Sequence, residues 1–211
     1  MKPITWLKSA VFLACLMPVA QMLWMYRENT LGPNPIEYIT HLTGKAALVF
    51  LLITLSITPL RRLTKQAWLI SFRRMFGLFA FFYGFLHLTI FVWLDKYFDW
   101  KDMIDDVTKR PFITFGFAAL VLMIPLALTS TNKWVQRMGG KRWQALHRLI
   151  YVSAILACVH FWWKVKADHT EPGIYAGILT VLLGFRVAHW AWGRFKHSAV
   201  SIQQSAVSSK Q

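Results

Sequence analysis

Six runs of apolar residues, separated by short polar segments, follow one another along the chain. The hydrocarbon core of a bilayer is about 30 Å thick, and a helix that rises about 1.5 Å per residue crosses it in roughly 20 residues. The runs cover residues 9–26, 41–60, 75–94, 111–130, 147–165 and 173–193. This pattern predicts an all-α integral membrane protein, built as a bundle of six transmembrane helices.

The first run is predicted to be a retained helix and not a removable signal peptide. Lys2 and Lys8 are followed by about 18 residues up to Tyr26, and no small-residue cleavage site comes after them. Prolines inside or near the ends of the runs are compatible with membrane helices, because neighbouring helices can satisfy the carbonyls that they free. These prolines are Pro18, Pro59 and Pro125.

Basic residues collect in two of the loops, and this predicts the orientation of the chain. Short loops rich in lysine and arginine stay cytoplasmic. The loop after the second run carries Arg61, Arg62, Lys65, Arg73 and Arg74 with no acid, and the loop after the fourth carries Lys133, Arg137, Lys141, Arg142 and Arg148 with none. Aspartates outnumber basic residues between the third and fourth runs. Both termini are therefore predicted to be cytoplasmic.

The composition agrees with a membrane protein, since 56% of the residues are hydrophobic and only 16% are charged. A net charge of +15 is also typical of nucleic-acid-binding proteins. The basic residues, however, lie between the apolar runs, where membrane topology and anionic lipid account for most of them. No nucleic acid is expected as a partner. We predict a six-span domain at 1–197 and a disordered polar cytoplasmic tail at 198–211.

Two histidines are predicted to lie at one depth in the membrane. The third and fifth runs both start at the cytoplasmic side, so His87 lies about 18 Å above Met75 and His160 about 20 Å above His147. Two neutral imidazoles that face each other from different helices are the arrangement that ligates both axial positions of a b-type haem. We predict His87 and His160 as this pair. The alternative is that each simply hydrogen-bonds to a neighbouring helix.

His147 marks a second depth, near the cytoplasmic surface. It lies thirteen residues before His160, which on an ideal helix places the two side chains about 140° apart. Thirteen residues before His87 the third segment carries Arg74 and not a histidine. A second haem with two histidine ligands is therefore not supported, but the two depths suit a chain of carriers that moves electrons across a bilayer.

Charged residues surround the outer level. His41, at the outer mouth of the second run, is predicted either to border the haem edge or an exit path, or to have no such role. Lys164 and Lys166 lie within about a turn of His160, where ammonium groups can meet haem propionates.

Five segments resemble the haem-binding membrane subunits of bacterial periplasmic methionine sulfoxide reductase systems, the MsrQ family. The segments are HLTGKAALVFLLITLSITPLRR (41–62), RRMFGLFAFFYGFLHLTIF (73–91), KRPFITFG (109–116), LALTSTNKWVQRMGGKRWQALHRLIY (126–151) and HFWWKVK (160–166). The most specific parts are the TSTN turn at 129–132 and the Gly140-x-x-Trp143-x-x-Leu146-His147-x-Leu149-x-Tyr151 pattern. The family belongs to a wider group of six-span haem proteins, the ferric-reductase-like and NADPH-oxidase-like proteins. The resemblance covers almost the whole chain except its C-terminal tail.

The resemblance implies an electron carrier of the bacterial inner membrane that holds haem b and FMN. It implies transfer of electrons to a periplasmic molybdopterin enzyme that reduces methionine sulfoxide in oxidised envelope proteins. The family's haem histidines fall on His87, His147 and His160, and Arg74 stands where the wider group has a fourth histidine. His147 is then left for a second, unusual haem or for contact with the flavin.

The electron donor is expected to be another molecule, because about 19 residues follow Trp192 and no glycine-rich phosphate loop is present. The resemblance offers the quinone pool or a cytosolic flavin reductase. The basic clusters can attract an acidic partner or an FMN phosphate, or can simply set topology and bind lipid.

Three classes of function stay open at this point. The first is an electron-transfer subunit on which no substrate bond is made or broken. The second is a membrane haem reductase that acts directly on ferric iron or oxygen, or that oxidises quinol. The third is a non-redox transporter or scaffold.

Overall fold

The chain folds as a bundle of helices, as its apolar runs predict. The computed structural model describes the backbone of residues 2–208 and the side chains of residues 4–192 and 194, and within this part it contains no β-strand. The α-helices are α1 (Lys2–Cys15), α2 (Met17–Arg27), α3 (Pro35–Thr64), α4 (Ile70–Ile90), α5 (Trp100–Lys109), α6 (Pro111–Leu128), α7 (Asn132–Met138), α8 (Gly140–Leu146), α9 (Leu149–Lys164) and α10 (Thr170–Ser208). A 3₁₀ turn (Ala67–Leu69) precedes α4 and a π-helical turn (Phe91–Asp95) continues it.

Six helical segments are long and apolar enough to cross a membrane, so the predicted number of spans is confirmed for the described residues. The segments are Ile4–Arg27, Pro35–Thr64, Ala67–Asp95, Pro111–Leu128, Gly140–Lys164 and Thr170–Trp192. The protein is a multi-pass membrane protein. The cytoplasmic placement of the termini stays a prediction. The predicted boundary at residue 197 between the six-span domain and a disordered tail also stays a prediction. Helix α10 continues to Ser208, inside the predicted tail, and residues 209–211 lie outside the described part.

Two antiparallel helix pairs form the centre of the bundle, α3 with α4 and α6 with α9. In the first pair, a Cβ atom on Gly77 would lie 3.6 Å from the side chain of Thr54, so the two helices approach closely there. In the second pair, the buried Ser153 hydroxyl donates to the Ala119 carbonyl at 2.8 Å. Helix α10 packs against α9 and α3, and α1 packs against α4. The pairs place two histidine-bearing helices, α4 and α9, inside the bundle.

The acidic segment between the third and fourth spans is a helix and not only a loop. Asp99 caps α5 by accepting a hydrogen bond from the Asp102 backbone N–H at 3.1 Å. Lys96 pairs with Asp102 at 2.6 Å and with the buried Asp106 at 2.5 Å. Burial acts to lower the pKa of Lys96, but these hydrogen bonds outweigh it and raise that pKa. The ion pairs tie α5 to the end of the third span.

The first span is interrupted at Leu16, between α1 and α2, and is held to the third span at the same place. Pro18 lies in the first turn of α2, where its missing N–H is tolerated. The fully buried Tyr83 of α4 donates its hydroxyl to the Cys15 carbonyl at 2.7 Å. Its ring stacks on Phe50 of α3, with 5.4 Å between the ring centroids. Tyr83 therefore links the interrupted helix to the central pair.

Tyr83→Phe is expected to destabilise the bundle while preserving its shape. The change leaves the Cys15 carbonyl without this donor in an apolar interior, which costs about 1–3 kcal/mol. The measurement is the apparent unfolding temperature in detergent. Tyr26→Phe is the matched control, because that side chain is 73% exposed on α2. Equal unfolding temperatures for Tyr83→Phe and the unchanged protein would contradict the anchoring role.

Candidate functional site

The imidazoles of His87 and His160 lie next to each other in the bundle. His87 comes from α4 and His160 from α9, and their ring centroids are 6.2 Å apart. The two ring planes are inclined at 79°, so they are close to perpendicular. The common depth predicted from the helical rise thus corresponds to a direct juxtaposition of the two side chains.

Each of the two imidazoles is bonded to a backbone carbonyl of a neighbouring helix. Nδ1 of His87 lies 3.0 Å from the Thr40 oxygen on α3, and Nδ1 of His160 lies 2.6 Å from the Phe112 oxygen on α6. A carbonyl can only accept, so Nδ1 carries the proton in both rings. Nε2 then keeps its lone pair, which is the tautomer that a metal-binding histidine needs.

A glycine makes room for each imidazole. A Cβ atom on Gly116 would lie 2.6 Å from Nδ1 of His160, and one on Gly44 would lie 3.1 Å from Nδ1 of His87. Gly44 comes four residues after Thr40 on α3, and Gly116 comes four residues after Phe112 on α6. The same arrangement therefore occurs on both helices: a carbonyl bonds to the imidazole, and a glycine one turn later leaves room for the ring. Neither glycine was predicted from the sequence, where the only signal is a glycine inside a run of bulky apolar residues.

Charged side chains border this site at its predicted outer rim. The Lys164 ammonium, one turn beyond His160, contacts Nε2 of His41. His41 directly follows Thr40, whose carbonyl holds His87, and also lies 3.7 Å from a Glu37 carboxylate oxygen. The structure therefore brings His41 and Lys164 to the edge of the histidine pair, whereas Lys166 is exposed.

His147 lies in a separate cluster at the other end of the bundle. The Thr129 hydroxyl donates its single proton to the Pro125 carbonyl at 2.6 Å. It also lies 3.0 Å from Nε2 of His147, and because its proton is already used it must accept a hydrogen bond there. Nε2 therefore carries the proton and Nδ1 keeps the lone pair. Trp143 stacks on the imidazole, with 3.9 Å between the ring centroids, and donates its indole N–H to the Thr129 carbonyl at 2.9 Å. These contacts account for the four-residue spacing of Trp143 and His147 beside the TSTN turn.

The assumption that the fifth helix runs without a break from His147 is wrong. His147 and Arg148 form a turn between α8 and α9, and the helical segment already begins at Gly140. The angle of about 140° estimated for an ideal helix therefore does not apply across this turn.

Arg74 is bound to the same TSTN turn as His147. Its guanidinium donates to the Asn132 side-chain oxygen at 2.8 Å, while His147 bonds to Thr129 at the other end of the turn. Arg73 and Arg74 both lie within electrostatic range of His147. His147 and Arg74 are therefore linked through separate contacts to one turn.

The ligand types limit the kind of metal centre that the site can form. Among the described residues there is no group of three or more histidine, cysteine or acidic side chains that could hold a metal ion. A mononuclear metal bound only by protein normally takes three or four such ligands. A pair of imidazoles alone fits an iron whose other positions are filled by a porphyrin.

Comparison with protein families matches the central part of the chain. Residues 43–158 match the family described as "Ferric reductase like transmembrane component". The match includes Gly44, His87, Gly116 and His147 and ends two residues before His160.

Relatives with the name "Protein-methionine-sulfoxide reductase heme-binding subunit MsrQ" are similar over nearly the full chain. The protein of Herminiimonas arsenicoxydans is 53% identical over 201 residues, which cover 94% of this chain and 92% of that protein. The protein of Bordetella pertussis is 51% identical, with 89% and 91% covered. That of Ralstonia nicotianae is 49% identical, with 92% and 90% covered. Because the family model covers over half of the chain and these relatives nearly all of it, the chain belongs to the MsrQ family of ferric-reductase-like transmembrane proteins.

Proposed function

We propose that this chain is the electron-transfer subunit of a methionine sulfoxide reductase system and holds haem b between His87 and His160. Electrons would pass to a periplasmic molybdopterin subunit, where the sulfoxide is reduced during repair of oxidised envelope proteins. No substrate bond would be made or broken on this chain. The observation that carries the proposal is the pair of adjacent imidazoles, each with its Nδ1 proton bound to a carbonyl.

The spacing of the two imidazoles fits a single iron between them. Two imidazole nitrogens that each bind one metal at about 2 Å would allow ring centres up to roughly 6 Å apart. The centroids of His87 and His160 are 6.2 Å apart. When bound, haem supplies one-electron exchange at its iron, with a potential set by its ligands and its surroundings.

The chain's own residues orient the ligands and border the site. The Thr40 and Phe112 carbonyls fix the tautomer and direction of the two imidazoles, which raises their basicity as ligands. The span helices around them carry mainly apolar side chains, which keep water away. At the rim, Lys164 and His41 offer cationic or hydrogen-bonding partners for haem propionates.

The inner level is the proposed point at which electrons arrive. His147 and Arg74, held by one turn, would contact FMN or a second, unusual haem. The donor would be the quinone pool or a cytosolic flavin reductase. The basic loops of this end suit an acidic docking partner.

A second candidate function is supported by the ferric-reductase-like family match. A chain of this kind would reduce ferric iron or oxygen directly at the outer haem edge. The two candidates differ in what re-oxidises the reduced protein, and this can be measured.

His87→Ala and His160→Ala are each expected to abolish the low-spin haem spectrum, because each removes one of the two proposed haem ligands. His147→Ala is expected to leave this haem in place. The measurement is the reduced-minus-oxidised difference spectrum with a haem count per chain. His169→Ala is the control, since that histidine is exposed and stacks on Trp162 outside the pair. Complete loss of haem from a folded His147→Ala variant would overturn the axial assignment.

Gly116→Ala is expected to abolish haem binding without removing any ligand. The new methyl group would lie 2.6 Å from Nδ1 of His160 and must displace the ring. Gly44→Ala, at 3.1 Å from His87, is expected to shift the spectrum less severely. Gly177→Ala is the matched control, because a Cβ atom there has no neighbour within 4 Å among the described residues. A normal haem content in Gly116→Ala would argue against His160 as a ligand.

Re-oxidation of the reduced protein separates the two candidate functions. The dithionite-reduced protein is expected to be re-oxidised rapidly when the periplasmic reductase subunit and a methionine sulfoxide substrate are both present, and slowly when either is omitted. Stopped-flow absorbance of the haem band gives both rates. Rapid re-oxidation by ferric chelates or oxygen, with none by the reductase and its substrate, would instead establish direct reduction.

A further inference from the structure

The acidic residues of the chain all lie at one end of the bundle. They are Glu28, Glu37, Asp95, Asp99, Asp102, Asp105, Asp106, Asp168 and Glu171. Each of the nine lies either between the first and second, third and fourth, or fifth and sixth spans, or within three residues of a span end that borders one of these segments, and these ends meet on the same side. The arginines of the opposite end therefore have no aspartate or glutamate side chain available as a counter-charge.

Arg186 links the sixth span to two other helices of the bundle. It lies on α10 and donates to the Tyr151 hydroxyl at 2.9 Å and to the Leu55 carbonyl at 2.7 Å. Its guanidinium also lies over the Tyr151 ring, 5.0 Å from the centroid. Its Nε is buried and has no acceptor within the part of the chain that the structure describes. A charged group inside a membrane protein is costly and normally has a functional partner.

Two further arginines lie near enough to Arg186 to act on it electrostatically. They are Arg62 of α3 and Arg73 of α4. Like charges held together in a poorly hydrated region repel strongly. An anion among the three guanidinium groups would convert this repulsion into attraction.

Buried donors without partners accompany these arginines. The Thr58 hydroxyl, the Arg61 Nε and the Ser71 hydroxyl are buried and unpaired within the described residues. The close approach of Thr54 and Gly77 sets the register of α3 and α4, so that Thr58 comes opposite Arg73 and Arg61 comes opposite the start of α4. The unpaired groups thus belong to the same end of the α3–α4 pair as the arginines. Buried polar groups normally have partners, so this concentration requires an explanation.

We propose that this end of the bundle is a binding site for a phosphate group, formed by Arg62, Arg73 and Arg186 with the hydroxyls of Thr58 and Ser71. A phosphate has several acceptor oxygens and up to two negative charges, which matches a set of guanidinium and hydroxyl donors better than a carboxylate with two oxygens. The phosphate can come from an anionic phospholipid of the adjacent leaflet or from a phosphorylated soluble cofactor such as FMN. The site is separate from the histidine pair and does not depend on haem binding.

Direct binding measurements on the purified protein in a non-ionic detergent test the site and identify the source of the phosphate. One arm follows quenching of FMN fluorescence. A second arm compares retention of phosphatidylglycerol and phosphatidylcholine by native mass spectrometry. Inorganic phosphate is added as competitor in both arms. If FMN fluorescence is quenched but phosphatidylglycerol is not selectively retained, the phosphate is that of a cofactor. If phosphatidylglycerol is selectively retained but FMN fluorescence is not quenched, the phosphate is that of a lipid.

Arg186→Gln and Arg73→Gln are expected to weaken the observed binding by roughly tenfold or more, because each removes a charge-assisted hydrogen bond to the phosphate. Arg186→Lys keeps the positive charge but lacks the planar set of guanidinium N–H donors, so it is expected to lose part of the affinity for the phosphate. Arg137→Gln is the matched control, with the same change of charge on an exposed side chain at the same end. Its binding should be unchanged.

Two results would overturn the site. The first is binding of neither FMN nor phosphatidylglycerol by the unchanged protein. The second is an equal loss in Arg137→Gln and Arg186→Gln, which would indicate general charge attraction. Since Arg186 also bonds to Leu55 and Tyr151, unfolding temperatures are measured for each variant, and Arg73→Gln tests the site if Arg186→Gln does not fold.

Discussion

A hydrogen bond from an imidazole to a backbone carbonyl of the neighbouring helix is the interaction on which the site depends. Helix α3 supplies this carbonyl at Thr40 and helix α6 supplies it at Phe112. Each carbonyl fixes which ring nitrogen is protonated, and a glycine one turn later lets the ring approach. The contact requires α3 to pack on α4 and α6 to pack on α9, which are the two main pairings of the bundle. The architecture and the candidate chemistry thus rest on the same contacts.

The number of spans and the common level of the two histidines could be predicted from the sequence because both depend on lengths measured along single helical segments. Run length and hydropathy predict a span, and the rise per residue places His87 near the level of His160, although a turn at His147 and Arg148 interrupts the fifth segment. The partners of these residues depend on which helices pack together, and hydropathy carries no information on that. For this reason Gly44 and Gly116 were missed. Helix α5 was not predicted, because its aspartates make the segment as polar as a loop. Asp99 caps this helix, and Asp102 and Asp106 pair with Lys96.

The distribution of charge divides the bundle into two unlike ends. At the acidic end, aspartates and glutamates pair with lysines within the protein, as Lys96 does with Asp106 and Lys45 with Glu171. At the other end, arginines bond to neutral groups, as Arg74 does to Asn132 and Arg186 to Tyr151. The first end can neutralise its own charges, whereas the second depends on anions from outside the chain. This difference suits a molecule that has distinct partners on its two sides.

The way in which the two imidazoles are held also bears on the speed of electron exchange. Their ring directions are set by backbone atoms of helices buried in the bundle, and not by mobile side chains. In the proposed function, imidazoles held in this way would move little when the haem between them gains or loses an electron. The nuclear rearrangement that accompanies each transfer would then be small, and a small rearrangement lowers the barrier to electron exchange. Rigid placement of the ligands would therefore favour a carrier that is reduced and re-oxidised many times.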